Sequence, residues 1–320
     1  MSTSSQVVAV IDIGTNTTRL LVRNVGNPAV DLDRVVRITR LGHDVEKTHR
    51  LGDPGMRDTA ATVKEYVELA QSHGATTSTI HIFATAGARV AENGEEFIAQ
   101  LQTETGCNAT IISGEQEGQY AFAGAMSGIS TPVQSAVVFD IGGGSTEFGM
   151  SSLESPDQCG KVISVPIGSV RITKRHLESD PPKPEELANA IADIREYLKD
   201  VENQIPNIRH ASKWIGVAAT VTTTAAIELG LAEFDAKKIH EFVLTKEMVE
   251  DVFRTLATES LADRIHNPGL EKERADVIVG GVAIVVSIMR HFELAEIIVS
   301  CTDLLDGLWL SIATSLRTSS

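Results

Sequence analysis

Apolar runs and helical periodicity alternate along this chain, predicting strands and helices in turn. Val7 to Ile11, Arg19 to Val25 and Val30 to Thr39 read as three early strands, and the first two flank a glycine turn as a hairpin. Thr59 to His73 places apolar residues at Val63, Val67 and Ala70 and stops at Gly74, the pattern of a helix with a glycine C-cap. A buried strand is expected over Thr79 to Ala84, a helix over Glu95 to Thr105 closed by Gly106, and a strand over Ala109 to Ile112. Ser113 and Gln116 form a capping box that sets Ser113 as the N-cap of a helix running to about Met126. The pattern begins again at Ser135 with strand, glycine turn and strand. Lys161 to Ile167 reads as a strand, and Pro184 to Ile205 as a long helix with proline in its first turn. A short strand over Ser212 to Gly216, helices over Met248 to Thr258 and Glu271 to His291, a strand over Glu296 to Ser300 and a closing helix over Asp303 to Leu316 complete the chain. Pro181-Pro-Lys-Pro184 marks a surface loop. No low-complexity linker separates the halves, so they are expected to pack with a ligand cleft between them.

Two of the predicted turns share one design. Val8-Ala-Val-Ile-Asp-Ile-Gly-Thr-Asn-Thr-Thr-Arg19 and Val137-Val-Phe-Asp-Ile-Gly-Gly-Gly-Ser-Thr-Glu147 each run from apolar strand to Asp, then to glycine and small hydroxyl residues. Gly14, Gly142, Gly143 and Gly144 lack a Cβ and let backbone N–H groups converge on an anion. Thr15, Asn16, Thr17, Ser145 and Thr146 add side-chain donors. Asp12 and Asp140 repel phosphate directly, but each is able to hold a divalent cation that holds phosphate in turn. Either turn alone is explained by an ordinary hairpin; recurrence in the same order favours two related halves serving one phosphate.

Composition narrows the partners. A chain of 320 residues, 42% hydrophobic, buries a large core and is expected to divide into two domains. Its formal net charge of -15 disfavours nonspecific nucleic-acid or anionic-membrane binding. Cys107, Cys159 and Cys301 lie far apart without metal-ligand spacing, and His43, His49, His176 and His266 are equally scattered. The start of the chain lacks a basic signal-peptide region, and the longest apolar run, Val277 to Met289, is too short to span a bilayer. The expectation is a soluble cytoplasmic protein.

Seven ordered motifs then carry a resemblance. Asp12-Ile-Gly-Thr-Asn-Thr-Thr-Arg19, Arg40-Leu-Gly42, Thr85-Ala-Gly-Ala-Arg89 with Asn93, Ser113-Gly-Glu-Gln-Glu117, Asp140-Ile-Gly-Gly-Gly-Ser-Thr-Glu147, Pro166-Ile-Gly-Ser-Val-Arg171 and Glu273-Arg-Ala-Asp-Val-Ile278 resemble the exopolyphosphatase / guanosine pentaphosphate phosphatase family from about Val8 to Trp309. The resemblance implies an α/β fold of two ribonuclease-H-like domains around a central cleft, as in the actin, sugar kinase and heat-shock chaperone ATPase superfamily. The domains are expected over residues 1–125, completed by a C-terminal helix over 303–320, and over residues 126–302. It also implies hydrolysis of the terminal phosphate of inorganic polyphosphate, with removal of the 5′ γ-phosphate of guanosine pentaphosphate as the alternative. An ATP-dependent kinase and a non-catalytic actin-like protein share the fold and stand further off. A homodimer is left open.

The family motif places the general base at Glu117, just beyond the first turn of the helix that Ser113 caps. Glu115 is read only as an acidic residue favoured at a helix N-terminus. Where relatives often carry a second acidic residue, this chain has Gln116, which suits the cap. Arg19, Arg89 and Arg171 fall inside motifs and are expected to grip phosphate oxygens, since a guanidinium does so with a two-pronged fork. Asp140 and Glu147, with Asp12, are the expected ligands of Mg²⁺ or Mn²⁺; Glu147 also reads as an ordinary edge-strand charge. Lys161, Lys174 and Arg175 are candidates for a basic rim. One departure lies in Gly216-Val-Ala-Ala-Thr220, where the family shows a further glycine near Ala219; the added methyl puts nucleotide contact in doubt. Thr220 is expected either at the cleft floor or as the cap of a helix through Leu229.

Overall fold

The computed structural model describes residues 6–318, which form two units. The first comprises the residues up to Tyr120 together with those from Leu304 onward, and the second is Ala121–Asp303. Each is built around one mixed sheet.

In the first unit the strands are β1 (Val7–Ile13), β2 (Thr17–Asn24), β3 (Asn27–Ile38), β4 (Ile80–Ala84) and β5 (Asn108–Ile111), in the order β3-β2-β1-β4-β5. β1 is antiparallel to β2 and parallel to β4, and every one of its residues is buried, as an unbroken apolar run in a central strand requires. The helix Asp53–Ser72 lays Val63, Tyr66, Val67 and Ala70 into the core from positions three and four apart. The helix Leu304–Thr318 belongs to this unit: Trp309 Nε1 donates to Val8 O (3.2 Å), and buried Asp306 takes Arg23 (2.6 Å) and Arg34 (2.7 Å).

The second unit repeats the plan. Its strands are β6 (Ala136–Ile141), β7 (Thr146–Ser151), β8 (Cys159–Val165), β9 (Lys213–Val217), β10 (Val243–Thr245) and β11 (Glu296–Val299), ordered β10-β11-β9-β6-β7-β8. Read from β8, the first five match the first sheet in order and sense, and β10 adds an antiparallel edge. Both units are therefore ribonuclease-H-like α/β domains. The helix Ile278–His291 is buried from Ile278 to Met289, so the longest apolar run of the chain is a core helix. No helix among the described residues is long and apolar enough to cross a membrane.

The helix expected from Thr59 already starts at Asp53, β10 was not expected, and three further differences bear on the site. The predicted helix over Glu271 to His291 is split, because a 3₁₀ turn at Lys272–Arg274 closes on Val277 N–H (to Arg274 O, 3.0 Å) before the α-helix opens. A helix at Ser169–His176 follows β8 where no element was expected, and its origin lies in the second glycine loop described below. Thr220 is not a cap: the helix Ala218–Glu228 starts two residues earlier with Val217 as N-cap, and Thr220 Oγ1 instead donates to Ile141 O at 3.5 Å.

The early start follows from Ala218, whose φ of 65° turns the chain sharply after β9. An L-residue in this left-handed region pays about 1–2 kcal/mol, and glycine there costs about 0.5–1 kcal/mol in unfolded-state entropy. Ala218→Gly should therefore be mildly stabilising, raising Tm by roughly 2 °C. A lower Tm in a thermal melt of this variant would show that the alanine methyl contributes packing that outweighs the strain.

Candidate functional site

Each unit carries one glycine loop, and in each the first glycine closes the turn. Gly14 N–H donates to Thr17 O (2.8 Å) and Gly142 N–H to Ser145 O (3.0 Å), so both amides are spent within the turn. The remaining amides are aimed by their neighbours. In the first loop Thr15 O accepts Gly42 N–H (2.8 Å), and Asn16 O accepts Thr39 and Arg40 N–H (3.0 and 2.9 Å). A trans peptide points its N–H opposite to its carbonyl, so the amides of Asn16 and Thr17 face away from those donors. Thr15 and Asn16 are buried, and Thr15 Oγ1 has no hydrogen-bond partner among the described residues. Two other motifs exist to seat this loop: a Cβ on Gly42 would lie 2.6 Å from Thr15 Cγ2, and one on Gly87 would lie 3.1 Å from Thr15 Cα. Asn93 is likewise a tie, its amide bonding both Leu51 N–H (2.8 Å) and Leu51 O (3.1 Å).

The second loop shows the same logic more strongly. Gly142 O accepts Ser169 N–H (3.0 Å), Gly143 O accepts Val170 and Arg171 N–H (2.9 and 3.1 Å), and Gly144 O accepts Arg171 Nε (2.8 Å). Three successive carbonyls thus cap the helix Ser169–His176, which explains why that helix forms. The amides of Gly143, Gly144 and Ser145 are turned the other way, a run of N–H groups suited to an anion. Gly168 makes the approach possible, since a Cβ on it would stand 2.5 Å from Gly143 C and O. Thr146 Oγ1 donates to Ile167 O (2.6 Å) and pins the loop's end.

All three motif arginines have internal partners. Arg19 Nε and Nη2 hold Asp12 Oδ2 (2.9 and 2.8 Å), as expected of residues paired directly across β1 and β2. Arg171 braces Gly144 O. Arg89 Nη1 donates to Glu117 Oε2 (2.8 Å) and to Ile112 O (2.9 Å). The expected rim shows further pairing: Arg175 and His176 both bind Asp193 Oδ2 at 2.8 Å, and Lys161 is exposed.

Glu117 occupies the place its capping box sets. Gln116 N–H donates to Ser113 Oγ (3.1 Å), Ser113 N–H donates to Gln116 Oε1 (2.9 Å), and the helix runs Gly114–Gly128. Glu115 is exposed, whereas Glu117 is buried. Burial pushes the Glu117 carboxyl up to about 7 against the pull of the Arg89 guanidinium, with the Asp12 charge raising it further and Arg19 lowering it. A carboxylate so placed is poised to take a proton near neutrality.

Asp140 and Glu147 lie directly opposite each other on β6 and β7 and are both buried. Opposed residues of antiparallel strands share a face, and like charges there destabilise the pair. A hard divalent cation relieves that repulsion, and Mg²⁺ accepts one or two carboxylates with water and phosphate oxygens as its remaining ligands. The donor set fits such an ion, although no three His, Cys, Asp or Glu side chains cluster as a complete metal site among the described residues. Glu147 Oε1 accepts hydroxyls from Ser145 (2.7 Å) and Ser164 (2.6 Å), so Ser145 serves this carboxylate with its side chain. Gly168 and Ser164 were not among the residues expected at the site. The signal for Gly168 was its place in Pro166-Ile-Gly; for Ser164, only the strand register reveals it.

A family model described as the Ppx/GppA phosphatase family matches residues 21–316. Exopolyphosphatase 2 of Mycobacterium tuberculosis is 32% identical over 320 residues, covering 96% of this chain and 98% of its own. The crystal structure of an exopolyphosphatase-like protein, 31% identical, superposes with a TM-score of 0.89 and covers 97% of this chain and 99% of that one. A Ppx/GppA family member from Aquifex aeolicus, also 31% identical, superposes at 0.80 over 97% of this chain and 98% of its own. Motif order, fold and near-complete coverage agree: the chain belongs to the Ppx/GppA phosphatase family.

Proposed function

We propose that this phosphoanhydride hydrolase releases orthophosphate from the end of inorganic polyphosphate, one unit at a time, by attack of a water that Glu117 deprotonates. The observation that carries the reading is the buried Glu117, poised near neutrality with Oε2 held by Arg89. Oε1 is then the oxygen that accepts the proton as water oxygen bonds to the terminal phosphorus and the bond to the shortened chain breaks. The name of the Mycobacterium tuberculosis relative supports polyphosphate as the substrate. Asp140 and Glu147 would hold Mg²⁺ or Mn²⁺, which would neutralise charge on the phosphoanhydride oxygens. The amides of Gly143, Gly144 and Ser145, and those of Asn16 and Thr17, bind phosphate oxygens, with Thr15 Oγ1 as a further donor. Arg19, Arg89 and Arg171 act at least in part by fixing Asp12, Glu117 and Gly144, since phosphoryl transfer depends on positioning more than on covalent help.

Phosphate release from polyphosphate of graded length, from guanosine pentaphosphate and from ATP, each with and without Mg²⁺, tests the assignment. Polyphosphate should give the highest kcat/KM. Preference for guanosine pentaphosphate would transfer the assignment to that substrate, and ATP consumption dependent on a sugar would make the protein a kinase.

The Glu117 environment also sets a pH dependence. The base works only when ionised, so kcat/KM should fall about tenfold per pH unit below a limb near 7. Arg89 favours the ionised form, so Arg89→Ala should move the limb to higher pH. A profile flat from weakly acidic to alkaline pH would remove Glu117 from proton transfer.

A further inference from the structure

Three side chains stand in one row across the second sheet. Asp140 on β6 lies opposite Glu147 on β7, and Glu147 lies opposite Ser164 on β8. All three therefore project from the same face. Ser164 Oγ donates to Glu147 Oε1 at 2.6 Å, beside the 2.7 Å bond from Ser145 Oγ to the same oxygen. The two serines differ in what carries them. Ser145 belongs to the glycine loop, whereas Ser164 is 17 residues along the chain from Glu147, on the neighbouring strand.

Burial makes the contact informative. Glu147 is 1% exposed, yet Ser164 is an exposed residue with water at hand, and still turns its hydroxyl onto the carboxylate. A glutamate side chain has three rotatable bonds and gives up about 1.5–2 kcal/mol of rotamer freedom when held. Two donors on Oε1 hold the plane of the carboxylate, and so fix where the second oxygen stands relative to Asp140. Outer partners that orient a ligating carboxylate in this way tune metal affinity, and their loss typically costs about 10–100-fold.

We infer that Ser164 is a positioning residue for the divalent cation, holding Glu147 from the sheet so that the carboxylate stays in register with Asp140 when the glycine loop adjusts to phosphate. The inference rests on the assignment of Asp140 and Glu147 as the cation's ligands. Its test is Mn²⁺ binding without substrate, followed by electron paramagnetic resonance, together with the Mg²⁺ concentration giving half-maximal hydrolysis. Ser164→Ala should weaken Mn²⁺ binding and raise the Mg²⁺ requirement by about 10–100-fold, with only a small change in the thermal midpoint because Ser145 Oγ still donates to the same buried oxygen. Ser164→Thr keeps the hydroxyl and should restore both. A serine with a merely structural role would lower the thermal midpoint and leave Mn²⁺ affinity intact, and that result overturns the inference. Glu147→Gln separates the two levels of the argument. Lost Mn²⁺ binding in Glu147→Gln with normal binding in Ser164→Ala removes only the positioning role, whereas normal binding in both removes the metal assignment itself.

Discussion

Glu117→Gln should lower kcat by about 10²–10⁴-fold, the range for removing a positioned general base, with little change in KM. The substitution keeps the size and the hydrogen-bonding reach of the side chain, so the Arg89 contact to the Oε2 position and the capping box at Ser113 have no reason to break. What disappears is the ability to take a proton from water. The loss corresponds to about 3–5 kcal/mol of transition-state stabilisation, and it should appear in kcat because the ground-state phosphates do not require the base. The acid limb of the pH profile should vanish with it, since the group that titrates near 7 is gone. The measurement is steady-state phosphate release across pH for wild type and variant on the same polyphosphate. Full activity in Glu117→Gln would leave Glu117 with only a structural role.

Gly168→Ala should be nearly as severe, for a steric reason. The Gly168 backbone is extended, at φ -156°, a conformation alanine adopts readily, so strain in the backbone is not the issue. The added methyl would meet Gly143 C and O at 2.5 Å and Gly144 N at 2.6 Å, all backbone atoms without a rotamer to yield. The Gly143 peptide must move, and with it the bonds from Val170 and Arg171 N–H that aim the Gly144 amide at the centre of the loop. Overpacking of this kind costs about 1–3 kcal/mol of stability. A displacement of about 1 Å in a positioning element is enough to cost roughly 100-fold in rate, so kcat/KM should drop by at least that order. Measuring kcat/KM beside a thermal melt separates the two effects. A folded Gly168→Ala enzyme with normal kcat/KM would mean that the second loop is a turn and not a phosphate cradle.

Much of this site is legible in the amino-acid sequence. The capping box at Ser113 and Gln116 is a local device, visible in two residues three apart, and it locates Glu117 correctly on its helix. The twin Asp-Ile-Gly turns show themselves by recurrence, and both lie between antiparallel strands, as a glycine turn after an apolar run implies. Less legible is the work each motif does. Arg40-Leu-Gly42 and Thr85-Ala-Gly87 are short sequences with no visible target, and only the packing shows that their glycines make room for Thr15. The departure at Ala219 acquires its physical meaning one residue earlier, where Ala218 takes the left-handed conformation. The helix Ser169–His176 is only eight residues long with few apolar positions, and carbonyls 27 residues upstream and more in the chain initiate it.

By itself the sequence determined the α/β class, the positions of the two loops, the placement of Glu117 and the family, because these rest on residues close together in the chain: strand alternation, glycine at a turn, a cap three residues from its partner. Only the tertiary structure decided which groups those residues meet. Arg19 is bound to Asp12, Arg89 to Glu117 and Arg171 to Gly144, so three expected phosphate clamps are also braces of the site's own groups. The direction of each loop amide is set by donors from Gly42, Thr39 and Ser169, and the orientation of Glu147 by a hydroxyl on the next strand. The physical reason is the same throughout. Charge and hydrogen-bonding capacity belong to a residue type, but the partner that satisfies them is chosen by packing between segments far apart in sequence.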